Sequence, residues 1–564
     1  MDRPWLGLYS DEAVRPLEVP DQTMYEALAG SAATSPTRPA LRYLGATLTY
    51  ARLLDQVDRL AAALTAAGVR PGDSVVVSLP NIPNVVIALY ALNRIGARAA
   101  MTHPLSSQDE LEHYITSTGA RLAVTADLFY AIFARLVEAT CLERVVIAHI
   151  GDYLKPPMRL GFKLTRGRRI PPVPYGPNVL DWRALLDSRE PVPDYVRPFS
   201  PGDGAVVLFS GGTTAMPKGI ELSSHSFNAL AVSMRLITGA TPDDSILAIL
   251  PAFHGFGLGL CIHTPLCIGA SLILVPEFST TIYIDNLLRH HPTIFAGVPT
   301  LFEALLRDPR FAQVDFSNVK GIYSGGDVLT PALKHRFDDV ITAHGGATEL
   351  VEGYGLTECV TACVVSPPER YREGSVGVPI PGCDAMIADP ATGQELAYGV
   401  EGEICVAGPT LMLGYVGEPE ATAQTLRRHG DGTVWLHTGD LGTMDADGYL
   451  FFKGRSKRLI KVSGVSVYPA QVEQVLESHP LVARACVIGV PDDYQVSKVK
   501  AFVTLVAGAQ RAPGLEDELI AHCKQHLIRW SAPRMVEIRD ELPMTRVGKI
   551  AYTVLEQEER DRGC

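Results

Sequence analysis

Two rhythms of apolar residues alternate between Leu48 and Thr125. A stretch with helical spacing, Tyr50 to Ala67, is followed by short apolar runs at Ser74 to Ser78 and Ala120 to Thr125. This alternation predicts mostly parallel strands covered by helices, an α/β fold. The same grammar resumes from Ala205 to about Pro379, with Val206 to Phe209, Ser271 to Val275 and Val319 to Tyr323 as expected strands. From about 382 to 453 the pattern changes to short strands separated by glycine-rich turns, as in Gly402-Glu-Ile-Cys-Val-Ala-Gly and Asp447-Gly-Tyr-Leu-Phe-Phe. That segment predicts a small antiparallel sheet or barrel. Basic residues then crowd together at Lys453, Arg455, Lys457, Arg458 and Lys461. They mark a boundary between an amino-terminal domain, 1–453, and a small α+β carboxy-terminal domain, 454–564.

The 564 residues, 47% hydrophobic and 20% charged, can bury more than one core and carry no signature of disorder. A net charge of −12 argues against nucleic acid as a partner. It does not exclude ATP, because local amides, lysines and a metal decide a phosphate site. The ten cysteines include no CxxC pair, since Cys359 and Cys363 are spaced wrongly for it, and they read as reduced packing residues. The first residues show no basic stretch leading into an apolar core, so a cytoplasmic location is expected. The apolar stretch from Val75 to Leu92 is broken by Pro80, Asn81, Pro83 and Asn84, which predicts strand, loop and helix start, not a membrane span.

The chemistry is most legible in Ser210-Gly-Gly-Thr-Thr-Ala-Met-Pro-Lys-Gly219, which follows the strand ending at Phe209. Gly211 and Gly212 let backbone amides approach phosphate oxygens, Ser210, Thr213 and Thr214 add hydroxyl donors, and Lys218 can neutralise charge. It is not a Walker loop, because its lysine lies between Pro217 and Gly219. The plain alternative is a solvated turn.

This loop resembles the signature of the adenylate-forming superfamily, which includes acyl-CoA synthetases, peptide-synthetase adenylation domains and firefly luciferase. Further matches follow in order: Pro251-Ala-Phe-His-Gly-Phe-Gly, Gly353-Tyr-Gly-Leu-Thr-Glu358, Gly402-Glu-Ile-Cys-Val-Ala-Gly-Pro, Thr438-Gly-Asp440, Gly454-Arg-Ser-Lys-Arg-Leu-Ile-Lys and Gly548-Lys-Ile. The resemblance implies stacked, mostly parallel sheets with helices, a barrel-like subdomain and a mobile carboxy-terminal lid. It also implies ATP, Mg²⁺ and coenzyme A as requirements. A carboxylate would attack the α-phosphorus of ATP, pyrophosphate would leave, and the acyl group would pass to a thiol.

By the same resemblance Glu358 holds Mg²⁺, Thr357 contacts the α-phosphate, and Tyr354 lies against the adenine, with Gly325 and Gly355 also at the nucleotide. Asp440 takes the ribose hydroxyls and Arg455 contacts the nucleotide. Lys549 swings in to bridge the substrate carboxylate and the α-phosphate, Lys457 is the hinge, and Gly464 lines the pantetheine channel. Val465 and Gln471 depart from the pattern, where many relatives carry an aromatic residue and a glutamate.

His254 stands where amino-acid-adenylating relatives place an aspartate. It cannot supply a permanent negative charge for an ammonium group, so an α-amino acid is disfavoured as substrate. Phe256, Gly257, Gly259, Leu260, Val298 and Val360 are uncharged and suit an apolar acyl or aryl tail. The glycines read either as room for a deep tunnel or as close helix packing. The expected activity is a CoA ligase for a medium- or long-chain fatty acid. An aryl-acid ligase, a ligase loading a separate carrier protein, and a catalytically silent binder of fatty acid or nucleotide are the alternatives. In 153–172 basic residues interleave with Leu154, Met158, Leu160, Phe162 and Leu164. That insert reads either as a peripheral contact with an anionic inner-membrane surface or as a solvated loop. The oligomeric state, a homodimer included, stays open.

Overall fold

The computed structural model describes residues 3–188, 191–210, 217–277, 279–367, 370–455, 458–462, 465–492, 496–545 and 549–562. The calls on Gly211, Gly212, Thr213, Thr214, Lys457 and Gly464 lie outside the described residues.

Two large sheets form the amino-terminal part. One has nine strands and includes Ser245–Ala248, Ile294–Gly297, Gly321–Ser324 and Leu350–Tyr354, parallel to one another. The other has eight strands and carries Ser74–Ser78, Arg98–Met101, Leu122–Ala126 and Gly204–Phe209, again parallel. The expected runs are strands within a few residues. Val319 drops out of its strand because its amide turns back to the Phe316 carbonyl at 3.0 Å.

The helix Pro83–Ile95 explains how the sheets share one core. Pro83 opens it with an already suitable φ, and Gly96 ends it at φ 87°. Every residue between is buried. A helix buried all round belongs between layers. Two of its polar side chains are paired: Asn93 accepts from the Tyr25 amide at 2.8 Å and donates to Ser224 at 3.0 Å, and Arg94 meets Asp58 at 2.8 Å. A single apolar cluster runs through this helix and joins residues of both sheets.

The glycine-rich segment, expected as a sheet or a barrel, is an open five-stranded antiparallel sheet containing Asp384–Ala388, Gly402–Ala407, Val434–Met444 and Leu450–Arg455. Beyond it the chain builds a second body. The strands Val482–Asp492, Val496–Leu505 and Met535–Ile538 are flanked by the helices Pro469–Glu477, Leu515–His526 and Tyr552–Arg562, and a separate apolar cluster lies among them. All nine cysteines among the described residues are free.

Candidate active site

Parallel strands in register end at one level, and here they end at the site. Gly297 pairs with Ser324, and Ser324 with Glu352, so Val298, Gly325 and Gly353 follow side by side at the carboxyl ends of adjacent strands, with Tyr354 one residue further on. Crevices at such strand ends are where open α/β sheets bind ligands. A Cβ on Gly325 would lie 3.1 Å from the Phe256 ring and 3.4 Å from the Gly353 carbonyl. Gly325, expected at the nucleotide, thus packs directly on Phe256, expected at the acid.

The turn after Tyr354 is strained. Gly355 lies so close to the Thr361 backbone that a Cβ would fall 1.5 Å from its carbonyl oxygen. Thr357 and Glu358 open a short 3-10 turn, Thr357–Cys359. Val360 then adopts φ 64°, ψ −58°, with the Thr361 amide donating to the Cys359 carbonyl at 2.8 Å. This is a γ-turn, a conformation that a β-branched residue avoids unless its surroundings impose it. The imposing contact is Gly255, where a Cβ would sit 1.6 Å from the Val360 carbonyl oxygen.

Gly255 leads into Phe256–His263, a π-helix, an element frequent at functional sites. Two expected pocket residues are explained by packing in this segment. A Cβ on Gly257 would meet the Pro251 carbonyl oxygen at 2.1 Å, and one on Gly259 would meet Val360 at 2.8 Å and Leu230 at 2.9 Å. Val298 and Val360 are buried, and Leu260 is half-buried.

On the phosphate-loop side, Ser210 and Lys218 are described. The Lys218 amide donates to the Ser210 hydroxyl at 3.0 Å, and its ammonium pairs with Glu418 at 2.7 Å, 4.9 Å from the centre of the Tyr415 ring. The Tyr415 hydroxyl donates to Glu358 at 2.9 Å. Tyr415 thus couples the loop lysine to the expected metal ligand. Sequence reasoning missed both Tyr415 and Glu418; the signal was a tyrosine between glycines in Leu413-Gly-Tyr-Val-Gly417.

Asp440 and Arg455 are partners across two antiparallel strands, with Arg455 Nε 3.1 Å from Asp440 Oδ1. The approach lacks hydrogen-bond alignment, so Oδ1 is buried with no donor among the described residues, whereas Oδ2 accepts from the Tyr354 hydroxyl at 2.7 Å. Burial pushes the Asp440 carboxyl up, against Arg455 and Tyr354. Its turn is anchored by Glu403, missed in the sequence, which accepts from the Gly439 amide at 2.9 Å and pairs with His437 at 2.8 Å. Burial opposes ionisation of Glu403, but these two hydrogen bonds hold its carboxyl below the usual range.

The second body reaches into this site. Thr545 and Lys549 close a turn through two hydrogen bonds, and the Lys549 side chain passes 3.9 Å from where a Cβ on Gly326 would stand. Burial and the charge of Arg455 lower its pKa, while Asp327 and Asp440 favour its charged form. His254 is half-buried, and its pKa falls to about 4 by desolvation and then by the charge of Lys549. Its Nδ1 accepts from the Phe256 amide at 3.2 Å, so it is a neutral imidazole near pH 7. The structure therefore brings Lys549, His254, Asp440 and Arg455 within electrostatic reach of one another across nearly three hundred residues of chain.

Known proteins resemble this chain over its length. The profile of the AMP-binding enzyme family matches residues 28–416, and that of the AMP-binding enzyme C-terminal domain matches 471–549. A long-chain-fatty-acid–CoA ligase of Bacillus subtilis is 33% identical, covering 99% of this chain and 98% of the relative. One from Escherichia coli O157:H7 is 31% identical over 100% of this chain and 99% of its own. Among solved structures, an anthranilate CoA ligase in complex with anthranoyl-AMP superposes with a TM-score of 0.83 at 25% identity, covering 96% of this chain and 98% of that one.

Proposed function

The chain belongs to the AMP-binding enzyme family and is an AMP-forming acid–thiol ligase that uses ATP, Mg²⁺ and CoA; from that premise we propose that its acid is a long-chain fatty acid. The reading rests on full-length similarity to the two fatty-acid ligases and on an acid-side wall without charge: Phe256, Leu260, Val298 and Val360. The observation that carries the mechanism is a half-buried Lys549 within electrostatic reach of His254 and Asp440.

Asp440 fits a ribose, because a buried carboxylate oxygen without a donor is satisfied by a hydroxyl. Glu358 fits Mg²⁺, a hard cation that takes oxygen ligands, and the ion bound there offsets phosphate charge. In this mechanism Ser210, Gly211, Gly212, Thr213, Thr214 and Lys218 hold the phosphates. Thr357 contacts the α-phosphate, with Tyr354, Gly325, Gly355 and Arg455 around the nucleoside. A substrate carboxylate oxygen attacks the α-phosphorus and the bond to pyrophosphate breaks. Two anions meet in that step, and Lys549 supplies the cation between them. His254, neutral, closes the acid side without adding charge. The second body then turns about Lys457, Gly464 lines the thiol channel, and the CoA sulfur attacks the acyl carbonyl, releasing AMP.

Acid-dependent ATP–pyrophosphate exchange across a panel of fatty and aryl acids tests the substrate, repeated with CoA and with a carrier protein as acceptor. Strongest exchange with long-chain acids, completed by CoA, supports the reading. Preference for aryl acids favours the second reading, which the anthranilate ligase fold supports. Absence of exchange with every acid refutes both.

No helix among the described residues is long and apolar enough to cross a membrane. A peripheral contact is proposed for the insert, because Met158, Leu160 and Leu164 on the helix Pro156–Leu164 are exposed beside Arg159, Arg168 and Arg169. Co-sedimentation with anionic vesicles tests it, and binding that survives Leu160→Ser with Leu164→Ser refutes it.

A further inference from the structure

Asp327 stands where the two bodies meet. It follows Gly326, which turns the chain at φ 85° after the strand Gly321–Ser324. The Val328 amide donates to Asp327 Oδ1 at 3.0 Å, and the next amide, Leu329, donates to the buried Glu352 at 3.0 Å. The carboxylate is thus held by its own loop and aimed outward. Across the interface Arg484 donates from Nη2 to Asp327 Oδ2 at 3.2 Å.

Arg484 also approaches a carboxylate on its own body. Its Nε lies 3.5 Å from Glu477, whose carboxylate also accepts from the Ala485 amide at 3.0 Å. The arginine therefore has one carboxylate on its own body and one on the other. It also shares packing with the neighbour of Lys549. The strand of Arg484 contributes Cys486, Ile488 and Val490 to a small apolar cluster on which Ile550, the neighbour of Lys549, packs. Asp327 also lies within electrostatic reach of Lys549.

We propose that Asp327 is a positioning residue for adenylate formation: its pairing with Arg484 holds the carboxy-terminal domain in the orientation that delivers Lys549. This inference rests on the two-step reading above. When the domain turns for the thioester step, Arg484 keeps Glu477 and gives up Asp327. The pair is partly exposed, 27% for Arg484 and 36% for Asp327, so it biases the orientation without locking it. Partly exposed ion pairs shift an equilibrium about two- to fivefold.

The test uses the full chain in single-turnover assays, following pyrophosphate release from acid and ATP, and separately CoA consumption with a supplied acyl-adenylate. Asp327→Asn and Arg484→Gln are each expected to slow pyrophosphate release about two- to fivefold. The thioester step should proceed at the parent rate or faster, and the double variant should be no slower than the poorer single one, as coupled partners require. A second arm joins Asp327→Cys to Arg484→Cys with a short bismaleimide. The linked enzyme should release about one equivalent of pyrophosphate and form no acyl-CoA, because a domain held in one orientation completes one half-reaction.

Unchanged pyrophosphate release, additive effects in the double variant, equal slowing of both half-reactions, or acyl-CoA turnover by the linked enzyme would overturn the proposal. A folded parent enzyme that released no pyrophosphate with any acid would instead refute the reading beneath it.

Discussion

The Tyr354 hydroxyl donates to Asp440 Oδ2 across 2.7 Å, leaving Oδ1 of the same buried carboxylate without a hydrogen-bond donor among the described residues. One oxygen is held and the other is left for a further donor. Tyr354→Phe should therefore weaken ATP binding by about 2 kcal/mol, roughly thirtyfold, the scale for a hydrogen bond to a buried charged group. Asp440→Ala should weaken it further. Calorimetric titration with ATP checks both, and unaltered affinity in either variant would remove Asp440 from the nucleotide site.

Lys549→Ala should lose acyl-adenylate formation by about two to three orders of magnitude, the loss expected when a preorganised partner of transition-state charge is removed. Reaction of a supplied acyl-adenylate with CoA should continue near the parent rate. The pH dependence has a definite sign: the Lys549 pKa is lowered, so the cation is lost as pH rises earlier than for an ordinary lysine. Adenylation should thus decline on the alkaline side, and Lys549→Arg should move that decline to higher pH. A variant that slowed both half-reactions equally would count against this role.

His254 binds its proton only near pH 4 in the folded chain, against 6.5 when unfolded. The unfolded state therefore takes up a proton that the folded state refuses, and stability drains away as pH falls from about 6.5 to 4. The shift corresponds to about 3 kcal/mol in all. His254→Gln should flatten part of the acid limb in denaturant titrations, and Lys549→Ala should do so to a smaller extent, because desolvation is the larger cause. Identical acid limbs for His254→Gln and the parent would show that the histidine is not held neutral.

Neighbouring glycines of the π-helix should respond differently to a methyl group. At Gly257 the new Cβ meets a fixed backbone oxygen, and destabilisation should reach or exceed the roughly 1–3 kcal/mol typical of overpacking. At Gly259 it meets the side-chain ends of Val360 and Leu230, which can turn aside, so the loss should be smaller. Thermal unfolding checks the pair; equal destabilisation would contradict the packing difference.

Much of this protein was determined by its sequence alone. Alternating periodicities led to parallel strands such as Ser74–Ser78 and to the helix from Tyr50, because burying one face or a whole layer demands those spacings. The motifs around Ser210, Glu358, Asp440 and Lys549 were legible too, through their resemblance, in order, to those of the adenylate-forming superfamily. The juxtapositions were decided only in three dimensions. The neutral state of His254 depends on burial and on a lysine almost three hundred residues away. The γ-turn at Val360 exists because Gly255 admits its carbonyl, and the roles of Tyr415, Glu403 and Asp327 come from partners on other strands or on the other body. Local spacing encodes which groups are present; long-range packing sets which of them meet and what charge each carries, because desolvation and Coulomb interactions act through space and leave no periodic mark along the chain.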